Sequence, residues 1–169
     1  PKIHVNLAEN IQTDIFLYNT PVSPFITSKT IDEIIDFWRW HPEYDIVSAS
    51  SCIKNFIWEN NKPYNFEIDN GIVGTQELED KYKVACADSG LIGYKNTIIK
   101  HKCLFGNGEN IFLYDINDLE STDIDWNLDF VLSESLYNRY INTSNLIDNY
   151  MKNSEFKETK ILDCTIRDS

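Results

Sequence analysis

Two aspartates stand at alternate positions in the segment STDIDWNLDFVLSE, which runs from residue 121 to residue 134. Side chains at positions i and i+2 of an extended segment point the same way, so Asp123 and Asp125 are predicted to face one ion together. In phosphate chemistry Mg²⁺ is typically held by one or two carboxylates, and water and phosphate oxygens complete its octahedron. The spacing therefore predicts a catalytic magnesium site with these two aspartates as ligands.

The surroundings of this pair favour the metal interpretation. The chain contains 15 Asp in 169 residues, so about one Asp-x-Asp pair is expected by chance, and a solvated acidic loop is the alternative. However, an apolar run at 111–114 precedes the pair, and apolar residues at helical spacing follow it over 126–136. Open α/β sheets bind ligands at the carboxyl ends of their strands, and the pair is predicted to lie at such an end.

The composition of the chain limits its class and its partners. With 42% hydrophobic and 25% charged residues, the chain has ordinary globular composition and can bury one core. The formal net charge of -12 argues against nucleic acid and anionic membranes as partners, because both attract clustered Lys and Arg. Small nucleotides are compatible with this charge, since a metal ion can supply positive charge locally.

The sequence also predicts where the protein works. No apolar run approaches the roughly 20 residues of a membrane span, and no charged and apolar leader opens the chain. The four cysteines are widely spaced and form no zinc-type pattern, which predicts reduced structural thiols. We therefore expect a cytoplasmic protein.

The remaining elements alternate between strand and helix. The patterns predict strands over 15–18, 45–50, 90–94 and 111–115, the first of them buried and central. They predict helices from an N-cap at Ser28 to about His41, and over 97–102. Such alternation predicts an α/β fold with a mainly parallel sheet and helices on both faces.

An aromatic stretch interrupts this alternation. Two aromatic runs at 56–58 and 64–66 flank the turn sequence Asn-Asn-Lys-Pro, which predicts a hairpin or arm. The arm could belong to the core or could form a subunit contact.

Five segments in order resemble a known family. TPVSPFITSKTIDEIID, DIVSAS, GTQELED, SGLIGY and STDIDWNLDFVLSE look like the latter two thirds of the cytidylyltransferases that activate acylneuraminate-type sugars. The resemblance spans about residues 14–140. It implies a Rossmann-like nucleotidyltransferase fold, and it implies transfer of CMP from CTP to a 2-keto sugar acid with Mg²⁺ and release of pyrophosphate.

The resemblance also implies site residues. The family's Thr-Ser-Pro-Leu turn, which lines the sugar and nucleotide cleft, matches residues 22–25 and assigns substrate binding to Ser23 and Pro24. A sugar-side Gln of the family matches Gln76. The family's Asp-Ile-Asp, whose aspartates bind the metal, matches residues 123–125. Ile26 stands where the family commonly has an Arg, so a donor for a carboxylate or phosphate is missing and the substrate is in question.

A second resemblance concerns the last eleven residues, TKILDCTIRDS. They look like the first strand of aldolases of the HMG-CoA lyase-like metal-dependent barrel superfamily. The resemblance implies that Asp168 binds a divalent metal and that Arg167 stabilises an enolate. Ser169 departs from the usual Gly, and an ordinary edge strand is the alternative.

Three domain assignments follow. Residues 1–142 are predicted to form the carboxyl-terminal part of the cytidylyltransferase-like domain, residues 143–158 a polar helix tail and linker, and residues 159–169 the start of the aldolase. Both ends of the chain look cut, and the family's phosphate-binding loop would lie before Pro1. The chain is therefore expected to be inactive alone, and its full-length form is expected to be a homodimer.

Two other functions stay open. A non-catalytic remnant could dimerise through the aromatic arm and tether the aldolase. A sugar-nucleotide glycosyltransferase also uses an Asp-x-Asp metal pair, although that class tends to place the pair in the middle of the domain.

Overall fold

The computed structural model of the protein describes residues 2–68, 71, 74–79 and 81–142. The chain divides into two compact units, Pro1–Ser133 and Glu134–Ser169. The second unit is described only as far as residue 142. The predicted linker and the predicted aldolase strand, with Arg167 and Asp168, lie outside the described residues.

The described residues form seven strands and four α-helices. The strands are β1 (Ile15–Tyr18), β2 (Ile46–Cys52), β3 (Trp58–Glu59), β4 (Lys62–Pro63), β5 (Lys83–Ala85), β6 (Leu91–Tyr94) and β7 (Ile111–Asp115). The α-helices are α1 (Lys2–Asn10), α2 (Ser28–Trp40), α3 (Lys95–His101) and α4 (Asn127–Asn142). Two 3₁₀ turns lie at Thr75–Glu77 and Ala87–Ser89. None of these helices is both long enough and apolar enough to cross a membrane.

The main sheet is built around β2. This strand pairs antiparallel with β6 and parallel with β7. Strand β1 pairs antiparallel with the other side of β6, and β5 pairs antiparallel with the carboxyl-terminal end of β2. Strands β1, β2 and β7 run in the same direction, as a mainly parallel sheet core requires, whereas β5 and β6 run against them. Strand β6 therefore begins at the same end of the sheet at which β2 and β7 finish.

Helices cover both faces of this sheet, as predicted. On one face Ile46 and Leu91 pack in a buried cluster with Ala8 of α1 and Ile98 of α3. On the other face the neighbouring residues Val47 and Ile92 pack with Ile34 and Trp38 of α2. Adjacent residues of a strand point to opposite faces, so two consecutive apolar residues in β2 and β6 supply both clusters. The α/β class is confirmed.

Several local predictions need correction. Thr27, not Ser28, caps α2, and its hydroxyl accepts a hydrogen bond from the backbone N–H of Thr30 at 3.2 Å. Strand β1 pairs only with β6 among the described strands, and Ile15 and Leu17 are 46% and 45% exposed. It is therefore an edge strand of the described sheet with one buried face, not the buried central strand that its apolar run predicts.

The predicted aromatic arm is present. Strands β3 and β4 form a hairpin whose turn residues, Asn60 and Asn61, have φ of 51° and 61°. Asn tolerates this left-handed conformation better than most residues, which explains why the turn forms at this position. Trp58 and Tyr64 on the arm are 55% and 52% exposed.

Candidate functional site

A cleft of about 170 Å³ lies beside the carboxyl-terminal half of β2. Four parts of the chain form it: the turn before α2, the end of β2, the stretch from β5 to the 3₁₀ turn, and the loop after β7. The residues that line it are Ser23, Ser51, Val84, Ala85, Cys86, Ala87, Asp88, Ser89, Ser121 and Asp123. The lining is therefore rich in hydroxyl and carboxylate groups.

Glu120 does not line the cleft, but its hydrogen bonds connect three of these parts. Its side chain accepts hydrogen bonds from the Thr27 backbone N–H at 3.1 Å and from the hydroxyls of Thr27 and Thr30 at 2.7 and 2.8 Å. The Asn117 amide donates to it at 2.6 Å, and the Ser89 hydroxyl donates to its backbone carbonyl at 3.1 Å. The residue is only 4% exposed. These bonds fix the loop after β7 against the amino end of α2, where a negative charge is favourable.

The two segments that carry the predicted site residues meet directly. The backbone N–H of Ile124 donates to the carbonyl of Val22 at 3.0 Å. This bond places Ser23 and Asp123 on the same cleft although 100 positions separate them in the sequence. The fold therefore brings together the Ser-Pro turn and the Asp-Ile-Asp segment.

The local geometry of the Asp-Ile-Asp segment differs from the prediction. Residues 122–125 have no regular secondary structure, so the predicted extended segment is not part of a strand. Both aspartates are exposed, but Asp123 lines the cleft and Asp125 is not among the lining residues. The Asp129 carboxylate accepts hydrogen bonds from the backbone N–H groups of Asp125 and Trp126 at 3.1 and 2.8 Å, which starts α4 at this point.

Ser23 is the second predicted residue that the structure places in the cleft. It is 4% exposed, and its hydroxyl oxygen is buried without a hydrogen-bond partner among the described residues. A buried hydroxyl without a partner is costly, so a ligand is one way to satisfy it. Pro24 is exposed beside it. Gln76 is exposed on the 3₁₀ turn Thr75–Glu77 and does not line the cleft, and its sugar contact stays a prediction.

Asp88 is a cleft residue that the sequence did not reveal. Its Oδ1 accepts hydrogen bonds from the Tyr18 hydroxyl at 3.2 Å and the Thr20 hydroxyl at 2.9 Å. Its backbone carbonyl accepts from the Thr20 N–H at 3.0 Å. Both partners lie about 70 positions away in the sequence, so no local spacing pattern predicts the contact. The one feature of the sequence that could have indicated Asp88 is its position just before the buried strand β6.

Burial, together with the charges around the cleft, raises the pKa of three groups. Burial, followed by the charges of Asp125 and Asp88, raises the pKa of the Asp123 carboxyl above its ordinary value. Burial also raises the pKa of the Cys86 thiol above its ordinary value. For Tyr18, burial together with the charge and hydrogen bond of Asp88 raises the pKa to about 12.

Replacing Asp88 is therefore expected to change how Tyr18 titrates. In the folded protein a phenol with a raised pKa stays neutral between its ordinary value of 10.0 and about 12, so the stability that depends on the neutral phenol is fully present below pH 10.0 and is lost as the pH rises from 10.0 to about 12. Asp88→Asn removes the charge, so the pKa of Tyr18 should fall toward 10.0. Ultraviolet titration of tyrosinate, with Tyr18→Phe subtracted, measures this shift. An unchanged pKa in Asp88→Asn would show that Asp88 does not control the phenol.

The donor atoms of the cleft fit a hard divalent cation. Among the described residues no group of three or more His, Cys, Asp and Glu is arranged to hold a metal. Mg²⁺ does not require such a group, because it keeps several waters and uses one or two carboxylates. Asp88 and Asp123 supply two carboxylates, and the buried Ser23 hydroxyl supplies another oxygen donor.

Comparison with known proteins reveals similarity in structure only. No protein-family profile matches the chain, and no curated protein matches its sequence. Among solved structures, the 4-diphosphocytidyl-2C-methyl-D-erythritol synthase from Anaerococcus prevotii DSM 20548 is similar, with a TM-score of 0.56 and 12% identity. The match covers 80% of this chain and 62% of that protein, so the chain spans less than two thirds of its length. The chain therefore shares the α/β fold of that structure.

Proposed function

We propose that this chain is part of a Mg²⁺-dependent cytidylyltransferase that transfers CMP from CTP to a 2-keto sugar acid. The observation that carries the proposal is the meeting of Ser23 and Asp123 in one cleft at the carboxyl end of β2. The Ile124 to Val22 hydrogen bond and the similarity to a diphosphocytidyl synthase structure support it. Ligand binding at this edge is the rule for open α/β sheets.

The residues of the cleft would act by position and charge. Asp123, with Asp125 beside it, would hold the Mg²⁺, which supplies charge neutralisation for the transferred phosphate and the attacking hydroxyl. Ser23 would donate a hydrogen bond to the sugar or nucleotide, and Pro24 and Gln76 would contribute at the rim. The described lining contains no Lys, Arg or His, so neutralisation of the substrate's negative charge in this cleft falls to the cation.

The wider setting is proposed on the same basis. Cys86 and Cys103 are free thiols, which supports a reducing compartment such as the cytoplasm. The exposed aromatic residues of the arm support a homodimer, which sedimentation of the full-length protein would reveal. A fusion to an aldolase that begins at residues 159–169 remains part of the proposal.

Release of pyrophosphate by the full-length protein tests this function. We expect release that requires both CTP and a 2-keto sugar acid, that stops on addition of EDTA and that resumes with excess Mg²⁺. The control reactions omit the sugar acid or replace CTP with ATP. Full-length protein that binds CTP and Mg²⁺ but releases no pyrophosphate with any 2-keto sugar acid would contradict the proposal. It would favour a non-catalytic module that dimerises through its arm.

A further inference from the structure

We propose that Asp88 is a carboxylate ligand of the divalent cation, acting together with Asp123. This inference deepens the proposed function and rests on it, because it assigns a further ligand to the same cleft. It also moves the centre of the cation site. The sequence predicts an ion between Asp123 and Asp125, whereas the structure places Asp88 and Asp123 on the lining of one cleft and leaves Asp125 outside the lining.

The Asp88 carboxylate is held in a fixed orientation by its own partners. The Tyr18 and Thr20 hydroxyls both donate to Oδ1, so Oδ2 is the oxygen without a described protein donor. Asp123 has the same arrangement, because the Ile124 N–H donates to its Oδ1 at 3.0 Å. Carboxylates that bind metals are commonly oriented in this way by hydrogen bonds from a surrounding shell.

An independent observation points to a ligand in the same cleft. Ser23 lines it, is 4% exposed, and has a hydroxyl oxygen that is buried without a described partner. A hydroxyl can supply an oxygen to a hard cation or donate to a water bound to that cation. The cleft therefore combines two oriented carboxylates with an unsatisfied hydroxyl.

The charge balance of the cleft distinguishes it from another acidic position nearby. Asp115 at the end of β7 is paired with the Lys83 ammonium at 2.8 Å and accepts from the Ser50 hydroxyl at 3.0 Å. The described lining residues around Asp88 and Asp123 include no cationic side chain. Two carboxylates without a counter-ion repel each other, and a divalent cation would remove that repulsion.

Binding of Mn²⁺ to the protein without nucleotide tests the inference. Free Mn²⁺ is measured by electron paramagnetic resonance during titration of the wild type, Asp88→Asn, Asp123→Asn and the control Asp118→Asn. Asp118 is an exposed acid on the same loop and does not line the cleft. We expect Asp88→Asn and Asp123→Asn each to weaken binding by about tenfold or more, and Asp118→Asn to leave it unchanged. Wild-type affinity in Asp88→Asn would overturn the inference.

A second measurement needs no variant. In the wild type, Mn²⁺ should broaden the backbone amide signals of Ser89 and Ile124 at low occupancy. The signal of Gly106, which lies near Ile46 at the opposite end of β2, should persist. Broadening at Ile124 without broadening at Ser89 would exclude Asp88 as a ligand, even if Asp88→Asn failed to fold.

The two proposals fail in different ways. If Mn²⁺ binding depends on Asp88 but the full-length protein releases no pyrophosphate, the cation site is supported and the cytidylyltransferase function is refuted. If the full-length protein releases pyrophosphate but Asp88→Asn binds Mn²⁺ with wild-type affinity, the function is supported and the role of Asp88 as a ligand is refuted.

Discussion

Glu120→Ala is expected to lower the free energy of unfolding by about 3 kcal/mol. The wild-type carboxylate is 4% exposed and accepts hydrogen bonds from the Thr27 backbone, from the hydroxyls of Thr27 and Thr30, and from the Asn117 amide. Truncation leaves the buried Thr30 hydroxyl and the more accessible Thr27 and Asn117 donors without their acceptor. Each such group costs about 1–3 kcal/mol, and rotation of the hydroxyls or entry of water would recover part of the loss.

Urea denaturation of the matched variants measures this effect. Glu33→Ala is the control, because Glu33 lies on the surface of α2 in an exposed ion pair with Lys29 at 3.7 Å. Exposed pairs of this type contribute little, so the control should lose less than about 0.5 kcal/mol. Equal losses in the two variants would show that Glu120 does not hold the loop against α2.

The larger functional effect is expected from Asp123→Ala, which should lower turnover of the full-length protein by about 100-fold or more. Asp123 lines the cleft, and its raised pKa reflects burial and the nearby charges of Asp125 and Asp88. Removal of this carboxylate would take away a ligand of the cation that neutralises charge in the transition state. Asp125→Ala is expected to lower turnover less than Asp123→Ala does, because Asp125 does not line the cleft.

Initial rates of pyrophosphate release provide the measurement, with Asp118→Ala as the control on the same loop. The control should retain wild-type turnover, because Asp118 is exposed and does not line the cleft. Circular dichroism of each variant separates loss of chemistry from loss of fold. Full activity of the double variant Asp123→Asn, Asp125→Asn with Mg²⁺ would end the assignment of both aspartates.

Local patterns in the sequence were enough to predict most of the fold. Helix α2 carries apolar residues at helical spacing, whereas strands β2 and β7 carry consecutive apolar residues, and both patterns reflect burial against neighbouring elements. The Asn-Asn turn of the arm is likewise a local signal, since both residues adopt the left-handed conformation. The N-cap was missed by one residue because Thr27 and Ser28 are both good capping residues.

The parts of the site that depend on distant contacts could not be predicted. Glu120 bonds to residues 90 and 93 positions away, and Asp88 bonds to residues 68 and 70 positions away, so neither contact leaves a local pattern. The extended segment predicted at 122–125 does not join a sheet for a related reason. Alternation specifies which way side chains point, but a strand also needs a partner strand, and the Ile124 N–H donates instead to the Val22 carbonyl, outside any strand, and to the Asp123 carboxylate.

Anomalous scattering from crystals of the full-length protein grown with Mn²⁺ and CTP tests the central claim most directly. The account predicts a manganese peak in the cleft beside β2, within metal–oxygen bonding distance of the Asp123 carboxylate and next to the phosphates of the nucleotide. An ordered nucleotide with no peak in this cleft, or a peak bound by other residues while Asp123 faces away, would contradict it.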